Sequence, residues 1–355
     1  MNQKYLDDFL LDIKNIREYL KHIELIDKVA IKNKDQDEES IKLFTEHFKQ
    51  FHIEKKIFEY KAIIISLYGI LERYIELWIK DHLNNLPKLV PTYNQLPKNL
   101  KESNFNLSIK LILIINENRH AKFDHLKKEN ILTNLNSCTN ETSNFEINSD
   151  AFVISSGNLK HRKIIELFKP LDIDLKQMLQ KNPEFSDYLS KKFGKNISNL
   201  DAGIVYGRID DLVTRRNDIS HGSTIDELLN ISAFEEYIEF LEKYATAIFH
   251  ILVKKELEYA SIHLYHKIEN VINIFRGEIL AFELENYKIR LGEDIIICTS
   301  NNNFYKQKIL EIQVDKNSYN ELEVKNKTKV AVNLGSSITK NQTFYMKKQT
   351  TNRDS

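Results

Sequence analysis

Apolar residues recur every three or four positions through the first two thirds of the chain, the spacing that gathers them on one side of an α-helix. Leu6, Phe9, Leu10, Ile13, Ile16, Leu20, Ile23 and Ile26 share one stripe and predict an amphipathic helix over residues 5–32. A second helix is expected from near Glu38. Residues 62–79, AIIISLYGILERYIELWI, are apolar almost all round and read as a central helix covered by neighbours on every side. Prolines and polar residues mark a turn over 86–97, and an apolar helix resumes over 107–116. Asn, Ser and Thr dominate 134–157, which reads as an exposed insertion. Short helices are expected at 161–168 and 175–179 around a turn at Pro170, followed by a helix over 200–220. A long last helix ends near His263 and is opened by SAFE, residues 232–235, which has the form of a capping box.

From Gly277 the period changes to two. Leu310, Ile312 and Val314 alternate with Glu311 and Gln313, and Val330, Val332 and Leu334 with Lys329, Ala331 and Asn333. Strands are predicted at 279–284, 294–298, 308–314, 329–334 and 343–347, separated by turns such as LGED and SNNN. The expected architecture is multi-domain, α then β: a helical bundle over 1–265 with the insertion at 134–157, a linker at 266–276, a small β-barrel at 277–348 and a disordered tail at 349–355.

Composition narrows the function. The 355 residues carry 51 Lys+Arg and 51 Asp+Glu, so no global field drives the protein onto a polyanion, and any nucleic-acid site must be local. The β segment is mildly basic, with 13 basic against 10 acidic residues from Arg276 to Ser355. Within it Lys325, Lys327 and Lys329 alternate along a presumed strand edge, either to bind RNA or to guard that edge from aggregation. No signal-peptide run and no stretch of 18 apolar residues occurs, which predicts a cytoplasmic protein without membrane partners. Cys138 and Cys298 match no zinc or disulfide spacing, and no GxxxxGK[ST] is present, so neither metal nor cofactor is expected.

One charge is misplaced. Val205, Ile209, Leu212 and Ile219 form a helical stripe whose missing member is Arg216, within RRNDISHG, residues 215–222. A guanidinium cannot be neutralised, so holding it against a core requires a partner or a purpose. Arg215 falls with Asp211 and Arg208 on the polar side and is expected to be solvated. Five positions after Arg216 stands His221, the side chain that exchanges protons near neutrality, though a histidine at a helix end is also simply favoured by the dipole. Gly222 is suited to ending the helix. The spacing alone carries little, since Arg17 with His22 and Arg119 with His125 share it in polar contexts. A second misplaced charge, Glu72, interrupts the stripe Ile65, Tyr68, Ile75 and Ile79 of the central helix. It is expected to orient Arg216, or else to reach solvent or pair with Arg73 or Lys80.

These features together resemble the HEPN superfamily, and LYGILERYI at 67–75, NLK at 158–160 and the closing RRNDISHG resemble its RiboL-PSP type. The resemblance covers roughly residues 1–265. It implies a metal-independent endoribonuclease of toxin or phage-defence type, cofactor-free, acting as a homodimer in which Arg and His of two subunits line one cleft. Carried onto this chain, the catalytic pair is Arg216 and His221, supported by Asn217 and Glu72, with Arg215 as a further RNA contact. The alternative is a non-catalytic, partner-binding HEPN component of a defence or toxin–antitoxin complex. KIRLGEDIIIC and the strands after it resemble the second-domain barrel of translation GTPases such as elongation factor Tu, which implies an adaptor.

Overall fold

The computed structural model describes residues 1–32, 38–117, 121–140, 144–154, 157–194, 201–223 and 227–349. The chain divides into two compact units. The first comprises residues 1–84, 97–138 and 146–251, and the second residues 85–96, 139–145 and 252–355.

The helices are α1 (Gln3–Lys32), α2 (Glu39–Leu89), α3 (Lys98–Asn116), α4 (Lys128–Thr139), α5 (His161–Phe168), α6 (Leu175–Lys181), α7 (Pro183–Phe193), α8 (Ala202–Ser220) and α9 (Ile231–His263). The core of the first unit forms around α2. Phe9 of α1 meets Tyr74 and Trp78 of α2 edge-on, each at 5.4 Å between ring centroids, and Trp78 meets Phe249 of α9 at the same distance. Ile64, Leu67, Leu71, Ile75, Ile79 and Leu83 complete the buried side of α2. The helix is not covered all round, however: Ile65 is 48% exposed, and Gly69 and Arg73 also face solvent.

Three differences from the sequence reading have physical reasons. The described residues of 134–157 do not form an exposed insertion. Helix α4 runs into them, a 3-10 turn follows at Ser149–Val153, and Ala151, Phe152 and Val153 are buried. The polar Asn148 is satisfied there by groups of neighbouring segments. The buried Asn148 amide donates to Ser108 Oγ at 2.9 Å and to the Ile131 carbonyl at 3.0 Å, and its backbone N–H donates to Asn104 Oδ1 at 3.3 Å. Second, α7 was not anticipated, although its ends carry ordinary signals: Asn182 accepts from Phe185 N–H at 3.0 Å, Pro183 takes the first turn, and Gly194 closes it at φ 65°. Third, α9 is capped by Asn230, which accepts from Ala233 N–H at 2.8 Å, rather than by Ser232.

The strands of the second unit are β1 (Tyr265–Lys267), β2 (Val271–Phe275), β3 (Ile279–Leu284), β4 (Tyr287–Arg290), β5 (Asp294–Cys298), β6 (Phe304–Lys308), β7 (Glu311–Val314), β8 (Asn317–Tyr319), β9 (Glu321–Val324), β10 (Thr328–Asn333) and β11 (Thr343–Lys347). They form sheets ordered β1-β11-β5-β6 and β2-β3-β10-β7-β8, with a separate β4-β9 pair. Leu280, Phe282, Ile289, Ile295, Ile297, Ile312, Val330, Val332 and Phe344 share one core among the three. Each sheet is open, so the strands do not close into the expected barrel. Residues 266–276 are not a linker, because β1 and β2 occupy them. The strand predicted over 308–314 breaks where the chain leaves β5 for β10: Ile309 N–H bonds the Glu293 carbonyl and Leu310 N–H the Asn333 carbonyl. Of the expected tail, residues 350–355 lie outside the described residues.

Candidate functional site

Helix α8 is capped by Asp201, whose carboxylate accepts from Gly203 N–H at 2.7 Å, and it buries Val205, Tyr206, Ile209, Leu212 and Val213. It ends as its sequence predicts. Ser223 N–H bonds the Asp218 carbonyl at 2.9 Å, Gly222 N–H bonds the Ile219 carbonyl at 3.3 Å, and Gly222 sits at φ 72°. This pair of bonds is a Schellman closure with glycine in the left-handed position. It leaves His221 as the C-cap, exposed, with no side-chain hydrogen bond among the described residues.

Arg216 is half-buried one turn earlier. Its guanidinium carbon lies 4.4 Å from the centroid of the Tyr68 ring on α2, and Nη1 donates to Asn217 Oδ1 at 2.9 Å. The Tyr68 hydroxyl donates to Glu72 Oε1 at 3.0 Å and accepts Leu159 N–H at 3.3 Å. Glu72 and Arg216 are therefore joined through the tyrosine, and no ion pair within 4 Å links them among the described residues. The alternatives for Glu72 are spoken for: Arg73 engages Asp12 and Tyr74, and Lys80 meets Asp150 at 2.7 Å. Burial, reinforced by Glu76, raises the pKa of the Glu72 carboxyl against the lowering pull of Tyr68, Arg216 and Lys122. Lys122 itself bonds Glu76 at 2.6 Å. Burial likewise raises the pKa of the Tyr68 phenol.

The NLK segment explains how this corner is held. Asn158 adopts φ 57°, Lys160 N–H closes onto the Asn158 carbonyl at 2.7 Å, and Leu159 is fully buried. Leu159 N–H thereby reaches Tyr68 of α2, and the N–H of His161, two residues on, donates to Asp210 of α8 at 2.7 Å. One turn thus ties α2 to the motif helix. The His161 ring stacks on Tyr206 with 3.4 Å between centroids and shares a hydrogen bond of 3.1 Å with the Tyr244 hydroxyl. Burial holds the pKa of this imidazole down at about 4.

Arg215 departs from expectation. It is not solvated: its side chain is only 19% exposed, Nε donates to Asp211 at 2.8 Å, and Nη1 reaches Tyr60 at 3.0 Å and the Glu227 carbonyl at 3.2 Å. The Tyr237 hydroxyl also bonds Asp211. These contacts make Arg215 a tie between α8, α2 and the segment before α9, with few donors left for RNA. Arg17, the first chance Arg/His match, is structural, bridging Glu235 and Glu242 at 3.1 Å each. Arg119 of the second match lies outside the described residues.

In the second unit Lys325 and Lys327 are exposed in the turn between β9 and β10, whereas Lys329 lies within β10 opposite Glu283. Strand β10 pairs with β3 from Thr328 to Asn333 but with β7 only from Ala331 to Asn333, so Lys329 lies beyond the β7 pairing.

The structure therefore brings together Arg216, Asn217 and Glu72, adds Tyr68, Glu76 and Lys122, and places His221 at the exposed end of the same helix. Tyr68 was legible as a ring four residues before Glu72 on one stripe. The Leu159 amide carries no side-chain signal that a sequence could show. Chemically, Arg216 offers donors for phosphate oxygens beside a carboxylate and an accessible imidazole. Among the described residues no cluster of His, Cys, Asp or Glu forms a metal-ligand set, and no helix is long and apolar enough to cross a membrane. A family model described as RiboL-PSP-HEPN matches residues 54–254, from within α2 to within α9. No curated protein matches the chain.

Proposed function

The chain belongs to the RiboL-PSP-HEPN family, and from that premise we propose that it is a metal-independent endoribonuclease of toxin or phage-defence type. The observation that carries the proposal is Arg216. It is a permanent cation held at the protein surface by an aromatic ring, with most of its N–H donors unengaged among the described residues and an exposed histidine one turn on. In RNA the neighbouring 2'-hydroxyl is the nucleophile. Cleavage then needs a base for that hydroxyl, an acid for the leaving 5'-oxygen and positive charge on the phosphorane oxygens. His221 takes the proton roles and Arg216 the charge, with Asn217 bonded to the guanidinium and Glu72 beside it.

One chain supplies one His221 and one Arg216. A twofold homodimer would present two of each to one cleft and so provide acid and base together. The exposed Lys325 and Lys327, with Lys329 beside them, would contact the RNA backbone, and an antitoxin or defence-complex protein would control the activity.

Total RNA incubated with the full chain in EDTA tests this. Wild type should release fragments ending in 2',3'-cyclic phosphate, and Arg216→Ala and His221→Ala should each cut at least ~100-fold more slowly. Undiminished cleavage by His221→Ala would remove it as the proton carrier.

A further inference from the structure

We infer that Tyr68 is the positioning residue for Arg216, fixing where the guanidinium stands so that its free N–H donors meet the substrate phosphate; this rests on the ribonuclease reading above. An arginine side chain has four rotatable bonds, and among the described residues the only hydrogen bond on this guanidinium goes to its sequence neighbour Asn217. That bond moves with the same helix end and cannot fix Arg216 relative to the rest of the fold. The Tyr68 ring can, since it lies 4.4 Å away on a different helix. The ring is itself fixed at its far end, where the hydroxyl gives its proton to Glu72 at 3.0 Å and receives Leu159 N–H at 3.3 Å. With donor and acceptor both engaged, the phenol cannot swing out, and its ring plane is set by α2 and the NLK turn together.

The division of labour follows from shape. A guanidinium held as a cation over a ring, here 4.4 Å from its centroid, is supported without a hydrogen-bond acceptor and keeps its donors for a bidentate anion. A direct Glu72–Arg216 salt bridge would consume those same donors. Interposing a ring lets the carboxylate act on the arginine electrostatically without competing with phosphate. Tyr68 thus touches neither substrate nor proton; it decides where the charge stands.

The test compares Tyr68→Phe and Tyr68→Leu in the full chain by RNA cleavage and by NMR of the Arg216 Nε–H. Tyr68→Phe keeps the ring, wedged between the helices, but loses the hydroxyl bonds that pin its far end, so kcat should fall only a few-fold, with the Nε–H resonance still shifted by the ring current. Tyr68→Leu should lower kcat about tenfold or more, the loss corresponding to ~1.4 kcal/mol of transition-state stabilisation, and the ring-current shift should vanish. KM is expected to change less than kcat, since the developing phosphorane charge feels the misplacement most. Wild-type kcat in Tyr68→Leu, or equal impairment of both variants, overturns the role of the ring. If Arg216→Ala itself cleaves normally, the ribonuclease reading fails first, and the NMR comparison still decides whether Tyr68 fixes the guanidinium.

Discussion

Arg215 and Arg216 are adjacent in sequence and about 100° apart around α8, and that angle separates their roles. Arg216 interrupts the stripe of Val205, Ile209 and Leu212, so its anomaly is visible in the sequence. Arg215 looks ordinary because a helical wheel shows only the helix itself; the side it occupies is covered by Tyr60, Tyr237 and the Glu227 carbonyl from other segments. Glu72 was visible by the same rule as Arg216, but its link through Tyr68 was not, because an intervening ring leaves no charge pattern. His161 adds a prediction at this scale. It is neutral in the fold down to about pH 4, whereas in the unfolded chain it takes up a proton below about 6.5. The unfolded chain therefore binds more protons between those values, and stability is lost as pH falls from about 6.5 to about 4, by on the order of 3 kcal/mol. Urea unfolding of His161→Phe should show a flatter profile over that window; an unchanged slope would assign the proton uptake elsewhere.

Among the elements, those with strong periodicity and marked ends were legible almost to the residue. Helix α5 and strands β3, β5 and β11 coincide with the expected bounds, and α8 stops at Ser220. What escaped was decided by neighbours. The polar run after residue 134 folds because Asn104, Ser108 and Asn148 satisfy one another, and the break after Lys308 exists because the chain changes sheets. Strands as short as β8 are defined by pairing rather than by pattern. The Schellman closure of α8 gives the prediction here. Alanine at Gly222 must adopt φ 72°, which should cost about 1 kcal/mol. Thermal unfolding of Gly222→Ala should show that loss; a neutral substitution would mean that the helix end relaxes freely around His221.

For the whole chain, the order of a helical part followed by a β part was evident from the change of period at Gly277. Closure of the sheets was not, because a barrel and a set of open sheets share the same alternation. The family match begins at residue 54, so α1 and the first turns of α2 lie outside it, as does the β region. Equal numbers of acidic and basic residues mean that the proposed RNA substrate would have to be captured at local sites, and the proposed shared cleft makes a molecular prediction. The full chain should sediment as two copies at micromolar concentration, and dilution to a single copy should abolish cleavage. A fully active single-copy species would dismiss the shared cleft.

Tyr60 and Tyr68 receive the two adjacent arginines on one uninterrupted helix, α2. Their spacing of eight residues acts as a ruler cut to the RR pair. Inserting or deleting a single residue between them would turn one tyrosine by about 100° and move it ~1.5 Å along the axis, so whichever contact survived, the other would be lost. Relatives that keep both arginine ties should therefore vary in side chains across residues 61–67 but not in length.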